Sequence, residues 1–235
     1  MSAEPAEPIP AATVALLRES STGPEVLLTH RPATMAFAAG MHVFPGGRVD
    51  ADDASADLFS RSAIGSDDAA ARLGGDAPPD AGLAAHIGAI RELWEESGIL
   101  LADTAASPAG ISASRAALVD GTAEFGVLAE RLDLRLRTDR LQPLSRWVTP
   151  PGYPRRFDAR FFAALLPDGA ADPTIASGEV VSLEWFRPSE ALDAMADGRI
   201  GLWLPTSSTL QQLEHLVDPA DLVRLTRAGT APIGR

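Results

Sequence analysis

The sequence predicts an α/β (α+β) fold in which a mixed β-sheet lies between helices, as an α/β/α sandwich with extra C-terminal helices. Strand and helix patterns follow the order β-β-β-α-β-α-β-β-β-α along the 235 residues. The chain is 46% apolar and 22% charged, which is enough to build one large core. We therefore predict a single domain over residues 11–235, after a disordered, Pro-rich segment at 1–10.

Three short strands open the predicted domain. Apolar runs at Ala12–Leu17 and Glu25–His30 flank a loop with Ser, Gly and Pro, and a third run at Met41–Phe44 stops at a Pro-Gly-Gly turn. The stretch from Val49 to Gly82 is rich in Ala, Asp, Gly and Pro and has few large apolar residues. It predicts a long, mobile insertion, which we place at residues 54–82.

Helical spacing follows the insertion. Leu83, Ile87, Ile90 and Trp94 form one apolar stripe, and Gly98 is expected to end this helix as its C-cap. The C-terminal helices are predicted within residues 189–235. The remaining expected elements are strands at Ile99–Ala102, Arg146–Thr149, Arg160–Leu166 and Val180–Phe186, and helices at Ala113–Leu134, Ser189–Ala196, Ser207–Val217 and Asp221–Ala228.

The composition excludes several kinds of chemistry. The chain has no Cys, which excludes disulfides and thiolate nucleophiles, and no Lys, which excludes Schiff-base chemistry and a Walker-type phosphate loop. Its net charge of −12 argues against a nucleic-acid or anionic-membrane surface. No apolar run reaches the roughly 18–20 residues of a membrane span, and the first residues do not resemble a signal peptide. We therefore expect a cytoplasmic protein that binds neither nucleic acid nor membrane.

Three glutamates on the predicted helix carry the clearest chemical signal. Glu92, Glu95 and Glu96 stand at i, i+3 and i+4, within a narrow arc almost opposite the apolar stripe. Small residues around Gly88 in the preceding turn leave room for a bulky group. Like charges at this spacing repel one another by about 0.2–0.5 kcal/mol per pair. A solvated acidic face is one explanation, and a Mg²⁺ or Mn²⁺ site is the other, because carboxylate oxygens suit hard divalent cations.

Together with the upstream Gly-Gly turn, these residues resemble the Nudix box, G-x5-E-x7-R-E-U-x-E-E-x-G-U, in which U is aliphatic. Gly47 is followed six positions later by Asp53, and the run Arg91-Glu92-Leu93-x-Glu95-Glu96-x-Gly98-Ile99 matches the second half. The chain departs from the pattern in two ways. The first acid is Asp instead of Glu, and 38 positions separate it from Arg91, so about 30 residues interrupt the box.

The resemblance implies a metal-dependent pyrophosphohydrolase that cleaves a nucleoside diphosphate linked to another moiety X, with water as the attacking group. Carried over to this chain, the three glutamates are metal ligands and Arg91 orients them. The bare backbone of Gly46 and Gly47 is expected to complete the cradle for metal and phosphate, with Gly46 as a metal contact.

Further similarity indicates a branch of the family. The segments Leu27–Arg31, Phe44–Asp50 and Trp147–Phe162 resemble coenzyme A diphosphatases that carry an insertion in the box. The expected substrate is therefore coenzyme A or acyl-coenzyme A, cleaved to 3′,5′-ADP and (acyl-)4′-phosphopantetheine. Arginine is well shaped for phosphate, although some of these side chains could be surface charges. The residues expected to bind substrate are Gly47, Arg31, Arg146, Arg156 and Arg160.

Glu179 is the candidate for an acid outside the box. It stands on a predicted loop six positions before Trp185, and alternation places Val181, Leu183 and Trp185 on one face of the following strand. Nudix enzymes commonly recruit such an acid, so the resemblance implies that Glu179 contacts the metal or takes the proton from water. Glu184, within the strand, is the weaker alternative.

Other readings stay open. The substrate could be ADP-ribose, another dinucleotide or a nucleotide sugar. The chain could also be a non-catalytic Nudix module that senses a nucleotide, although all three box glutamates are present. An acidic interaction domain without a ligand would leave the Gly-Gly turn and Arg91 unexplained. Association into a homodimer is left open.

Overall fold

A mixed sheet between two helical layers forms the centre of the structure, a computed structural model that describes residues 6–35, 38–75 and 77–215. This arrangement confirms the predicted α/β/α sandwich. The strands are β1 (Ile9–Arg18), β2 (Glu25–His30), β3 (His42–Val43), β4 (Gly46–Arg48), β5 (Ala102–Asp103), β6 (Arg135–Leu136), β7 (Gln142–Val148), β8 (Phe157–Leu165) and β9 (Ser182–Phe186). The helices are α1 (Ala56–Arg61), α2 (Ser66–Arg72), α3 (Pro79–Ser97), α4 (Pro108–Val119), α5 (Phe125–Arg131), α6 (Pro188–Ala196) and α7 (Leu204–Leu213).

Strand β1 lies in the middle of the seven-stranded sheet. It pairs in parallel with β8, and on its other edge it pairs antiparallel with β4 near its start and with β2 near its end. Strand β8 continues to β7, and β2 carries β3 and β9. The single parallel pair makes the sheet mixed, and the β1–β4 pairing brings the Gly-Gly turn to the middle of the fold.

Each face of the sheet has its own core, because successive side chains of a strand point to opposite faces. Leu16 and Phe162 pack with Trp94 of α3 on one face. Leu17 and Leu28 pack with residues of α6 and α7 on the other. No helix in the described ranges is both long and apolar enough to cross a membrane.

Helix α3 presents the glutamates and begins four residues earlier than predicted. Pro79 occupies its first turn, where the missing N–H costs nothing. The predicted stripe from Leu83 to Trp94 is buried as expected. Gly98 has φ 80° and donates its N–H to Trp94 O, which confirms it as the C-cap.

The segment 54–82 is not the long loop that its composition predicts. A 3₁₀ turn at Asp52–Ala54 leads into helices α1 and α2, and α3 has begun before the segment ends. Leu58 of α1 and Ala69 of α2 are fully buried. The prediction was wrong because the small residues that resemble a loop include alanines, which favour helices and let α2 pack closely on α3.

Several strand predictions need correction. Ile9 and Pro10, predicted as disordered, belong to β1, where they lie opposite Phe157 and Asp158 of β8. The Gly-Gly turn continues as strand β4. The strand predicted at Ile99–Ala102 overlaps β5 only at Ala102, and β5 pairs only with β6 in a separate two-stranded sheet within the described residues.

The helix predicted over Ala113–Leu134 is divided. Helix α4 ends at Val119 and α5 begins at Phe125, because the connection contains Gly121 at φ 65°. Among the C-terminal helices, α6 matches its prediction to within one residue, whereas α7 begins three residues before the predicted start at Ser207 and ends at Leu213. The helix predicted at Asp221–Ala228 lies outside the described residues.

Candidate active site

Arg91 lies at the centre of the candidate site. Its buried guanidinium donates to both Asp53 oxygens at 2.9 and 2.8 Å, to Glu92 Oε1 and Glu95 Oε1 at 2.9 Å each, and to Arg48 O at 2.7 Å. Burial alone would lower the pKa of Arg91, but the surrounding carboxylates outweigh that effect and raise it. Arg91 therefore stays charged and gathers the acids around one point.

Asp53, in the first half of the interrupted motif, contacts Arg91 in the second half. Its side chain is fully buried in the 3₁₀ turn, where Asp50 N–H donates to Oδ2 at 2.8 Å. A Cβ atom on Gly88 would lie 2.9 Å from Asp53 Oδ2, so the absence of a side chain lets the turn reach α3. The room that the sequence suggested for a bulky group is thus filled by Asp53.

The three glutamates share one helix face but have different partners. Glu92 and Glu95 accept from Arg91, whereas Glu96 accepts from Gly46 N–H at 3.1 Å and lies 3.6 Å from Arg31 Nη1. Burial is the main cause that raises the pKa of Glu92 to about 7 and that of Glu96 to about 8. Burial raises the pKa of Glu95 as well. The two arginines therefore compensate this negative charge only in part.

The donor set fits a hard divalent cation in its chemistry. Three carboxylates crowd one turn of α3, and burial raises their pKa values by making the charged forms costly, so a bound cation would stabilise those charged forms. Their atoms are not preformed into a ligand cage: in the described part of the chain, no three acidic or histidine side chains converge as a metal ion requires. Arg91 explains this, because it holds two of the carboxylates itself. Ligation by Glu92, Glu95 and Glu96 stays a prediction.

The two positions of the Gly-Gly turn exclude a side chain for different structural reasons. A Cβ atom on Gly46 would overlap Thr13 Oγ1 and lie 2.6 Å from Ala12 O, so this glycine lets β4 lie against β1. A Cβ atom on Gly47 would lie 2.6 Å from the Glu92 carboxylate. The structure thus ties both glycines to the site through packing, and their contacts with metal or phosphate stay predictions.

The arginines predicted to bind substrate are dispersed. Arg31 lies beside Glu96, as described above. Arg146 makes a two-pronged contact with Asp158 at 2.8 Å for each bond, and Arg156 donates to two backbone carbonyls at 2.9 and 2.7 Å. These bonds give Arg146 and Arg156 a structural role, and their contact with substrate stays a prediction.

Arg160 is a buried residue of β8, opposite Arg146. It shares a strand face with Phe162, which packs in the core beneath α3. Burial alone would raise the pKa of Asp158, but the hydrogen bonds from Arg146 and the charge on Arg160 outweigh it and lower that pKa. The charge on Arg160 therefore helps to stabilise the Asp158 carboxylate on the face of the sheet that packs against α3.

Glu179 is exposed in the turn before β9, where its N–H donates to Ser177 Oγ at 3.3 Å. Burial is the main cause of the raised pKa of Glu96, and the charge on Glu179 adds a minor contribution. Glu184 lies elsewhere: it accepts from Ser182 Oγ at 2.6 Å and lies 3.9 Å from His42 Nε2. Of these two acids, Glu179 has an electrostatic effect on Glu96, and its role at the site stays a prediction.

The strand after Glu179 differs in one detail from the prediction. Leu183 and Trp185 pack together toward the α3 core, as predicted. Val181 does not join them, since it is 54% exposed while Val180 is buried. The regular strand starts only at Ser182, so the alternation does not extend back to the turn.

A groove of about 720 Å³ opens beside the site, and sequence reasoning did not find it. One wall belongs to the acidic centre and the other to the connection between α4 and α5. Its residues are distant in sequence, which is why no spacing reveals them. The lining includes Asp50, Arg91 and Glu95 on one side and Leu118, Thr122 and Phe125 on the other.

Two further residues at the site carry no sequence signal. Arg115 of α4 donates to the backbone carbonyl of Glu95, and it also binds Thr174 in the loop that precedes Glu179. A lone arginine in a helix and a threonine in a Pro-rich loop are usually surface residues. Only the fold brings them to the end of α3.

The mixed sheet, the helix with its glutamates and the buried arginine define a Nudix-type domain. A solved structure, a NUDIX hydrolase from Alicyclobacillus acidocaldarius, superimposes with a TM-score of 0.73 at 24% identity, and the match covers 97% of this chain and 99% of that one. At this identity the likeness shows the fold.

The particular family follows from sequence comparison. The family described as NUDT19 Nudix domain matches residues 60–213, and the chain belongs to it. The resemblance drawn from the box is thereby confirmed. The match begins within the segment that interrupts the box, so part of that segment belongs to the family domain.

Two curated relatives extend the comparison. Acyl-coenzyme A diphosphatase NUDT19 of Homo sapiens is 31% identical over 240 residues, which is 85% of this chain and 63% of the relative. Putative nudix hydrolase 7 of Caenorhabditis elegans is 29% identical over 197 residues, which is 82% of this chain and 57% of the relative. The chain thus spans about three fifths of the length of these relatives.

Proposed function

We propose that this protein is a metal-dependent pyrophosphohydrolase that cleaves a nucleoside diphosphate linked to X, and that its substrate is coenzyme A or acyl-coenzyme A. One observation carries the reaction class: Arg91 gathers Asp53, Glu92 and Glu95 beside the buried Glu96, although 38 positions separate Asp53 from Arg91. The human relative, named acyl-coenzyme A diphosphatase, favours coenzyme A as the substrate.

Different residues of the chain have different roles in the proposed hydrolysis. When bound by the three glutamates, Mg²⁺ or Mn²⁺ would polarise the phosphate oxygens and lower the pKa of a bound water. Arg91 keeps the α3 carboxylates in place. Arg31, whose Nη1 lies 3.6 Å from Glu96 Oε1, would supply a positive charge to a phosphate bound beside the glutamates.

The bond changes follow from the proposed products. A water oxygen forms a bond to one phosphorus of the diphosphate, and the bond from that phosphorus to the bridging oxygen breaks. Glu179 takes the proton that the water loses. The two products are 3′,5′-ADP and (acyl-)4′-phosphopantetheine. We place X in the groove beside Glu95.

The test is a hydrolysis screen with product identification by mass. Coenzyme A, acyl-coenzyme A, ADP-ribose and dinucleotides are each incubated with Mg²⁺ or Mn²⁺, and again with excess chelator. We expect coenzyme A species to be cleaved at the diphosphate and all hydrolysis to stop in chelator. Much faster turnover of ADP-ribose would contradict the coenzyme A assignment. No hydrolysis of any substrate would contradict the enzyme assignment, and nucleotide binding alone would then indicate a sensor.

Glu179→Gln is expected to lower kcat by about 10²–10⁴-fold with little change in the metal concentration required, because the amide cannot accept the proton from water. If Glu179 is a metal ligand instead, the metal requirement rises. The measurement is kcat as a function of Mg²⁺ concentration, with Glu184→Gln as the matched control on the same strand region. Near-wild-type kinetics of Glu179→Gln at every metal concentration would exclude it from the reaction.

The cytoplasmic location, the absence of nucleic-acid and membrane partners, and association into a homodimer stay predictions.

A further inference from the structure

Arg115 is a buried arginine whose hydrogen bonds all go to uncharged oxygens. It is 7% exposed. Nε and Nη2 donate to Glu95 O at 3.3 and 3.0 Å, Nη1 donates to Thr174 Oγ1 at 2.8 Å, and Nη2 donates to Thr174 O at 2.6 Å. No carboxylate within the described ranges forms an ion pair with it. Burying a charged group without an opposite charge is costly, so its position requires an explanation.

The C-terminal end of α3 supplies part of that explanation. Glu95 O lies in the last turn, where a carbonyl lacks the usual N–H partner four residues later, because Ile99 N–H donates to Ser97 Oγ at 3.2 Å instead. The last turn of α3 contains no basic residue. Arg115 provides both the missing donor and a positive charge at the negative end of the helix.

Thr174 is held to the same helix end by its backbone and its side chain. Its N–H donates to Ser97 O at 2.8 Å, while its two oxygens accept from Arg115. A Cβ atom on Gly98 would lie 2.7 Å from Arg115 Nη1 and 3.0 Å from Thr174 Oγ1. The C-cap glycine therefore also makes room for this contact. We call Arg115, Thr174 and the carbonyls of Glu95 and Ser97 the Arg115 clamp.

The clamp fixes the middle of a loop that has few other anchors. At one end Leu166 N–H donates to Leu17 O at 2.7 Å, and at the other Val181 N–H donates to His30 O at 2.8 Å. Between these points, Thr174 is the residue with backbone and side-chain bonds to another element in the described structure. Glu179 follows Thr174 by five residues, so the clamp limits where Glu179 can stand relative to α3.

We propose that Arg115 is a positioning residue for the hydrolysis: by binding Thr174 to the end of α3, it sets the loop that carries Glu179 against the glutamates. This inference rests on the proposed function and on the proposed role of Glu179. Arg115 acts through Thr174 and does not touch the substrate. The same guanidinium donates to Glu95 O, and this bond anchors Arg115 and Thr174 at the end of α3.

The test uses Arg115→Lys, which keeps the charge but cannot bridge the same oxygens in a planar fork. The first readout is amide hydrogen exchange in metal-free protein, where we expect faster exchange across residues 167–181. The second is kcat, which we expect to fall about 10–100-fold because a catalytic group is misplaced. The matched control is Arg137→Lys, an arginine that pairs with Asp103 and Asp139 away from the clamp.

A double-mutant cycle separates positioning from general destabilisation. If Arg115 acts through Glu179, Arg115→Lys combined with Glu179→Gln has the same kcat as Glu179→Gln alone. If the kcat losses of the two single variants multiply in the double variant, the proposal is wrong. It is also wrong if Arg115→Lys leaves amide exchange across residues 167–181 unchanged. Should Arg115→Lys not fold, Thr174→Val removes only the Oγ1 acceptor and is carried through both measurements. A wild type without hydrolase activity would contradict the proposed function, while the exchange result would still decide whether Arg115 holds the loop.

Discussion

Glu96→Gln is expected to abolish hydrolysis while the protein stays folded. Glu96 is buried beneath the Gly-Gly turn, where its carboxylate accepts from Gly46 N–H at 3.1 Å. Glutamine has the same shape and can keep this contact through its amide oxygen, but it loses the charge that a divalent cation needs. Activity with Mg²⁺ and circular dichroism are measured together. Glu130→Gln, an exposed glutamate on α5, is the matched control and should retain full activity.

The same substitution changes how stability depends on pH in metal-free protein. The pKa of Glu96 is raised from 4.5 to about 8 in the folded state, so the folded protein binds its proton more tightly than the unfolded chain does. The contribution of Glu96 to the free energy of unfolding therefore falls as pH rises from about 4.5 to 8, and it falls no further above that. Denaturant titrations in chelator should show a smaller fall for Glu96→Gln. Full turnover by this variant, or an identical pH dependence, would remove Glu96 from the proposed site.

Arg91→Leu should destabilise the metal-free protein by about 3–5 kcal/mol, because removing one partner of a buried ion pair leaves the others uncompensated. Asp53 loses both of its bonds to Arg91, and Glu92 and Glu95 lose one each. Added Mg²⁺ should restore part of this loss by supplying positive charge to the same carboxylates. The measurement is chemical denaturation with and without the metal.

The control for Arg91→Leu is Arg137→Leu, which breaks partly exposed pairs with Asp103 and Asp139. Such a surface substitution should cost no more than about 1 kcal/mol. Equal losses in the two variants would show that the Arg91 network does not have the stabilising role that its burial indicates.

Local spacing explains why so much of the site could be predicted from the sequence. Glu92, Glu95 and Glu96 must share a helix face whatever surrounds them, and Gly98 must end the helix where its φ is positive. The contacts of Arg115 could not be predicted in this way, because they join residues 59 positions apart that only the tertiary fold brings together.

The two largest errors in the fold have a common physical cause. Small residues predict loop or turn from their composition, although burial against another element decides their conformation. Ala69 and Ala70 form part of α2 because α3 covers them, and Gly46–Arg48 forms β4 because β1 offers it backbone partners. Intrinsic propensity is weak beside such tertiary contacts.

The contact between Asp53 and Arg91 indicates that the motif is defined by proximity in the folded protein and not by a fixed spacing in the sequence. It closes a chain segment of 38 positions, and each doubling of such a segment adds only about 0.6 kcal/mol of closure entropy. Changing the length of the connections between the helices of this segment is therefore cheap, provided that α1 and α2 keep their buried packing and the 3₁₀ turn still reaches Gly88. A search for relatives that demands a fixed spacing would miss chains of this kind. A search for an acid within reach of the helix arginine, at any distance along the chain, would find them.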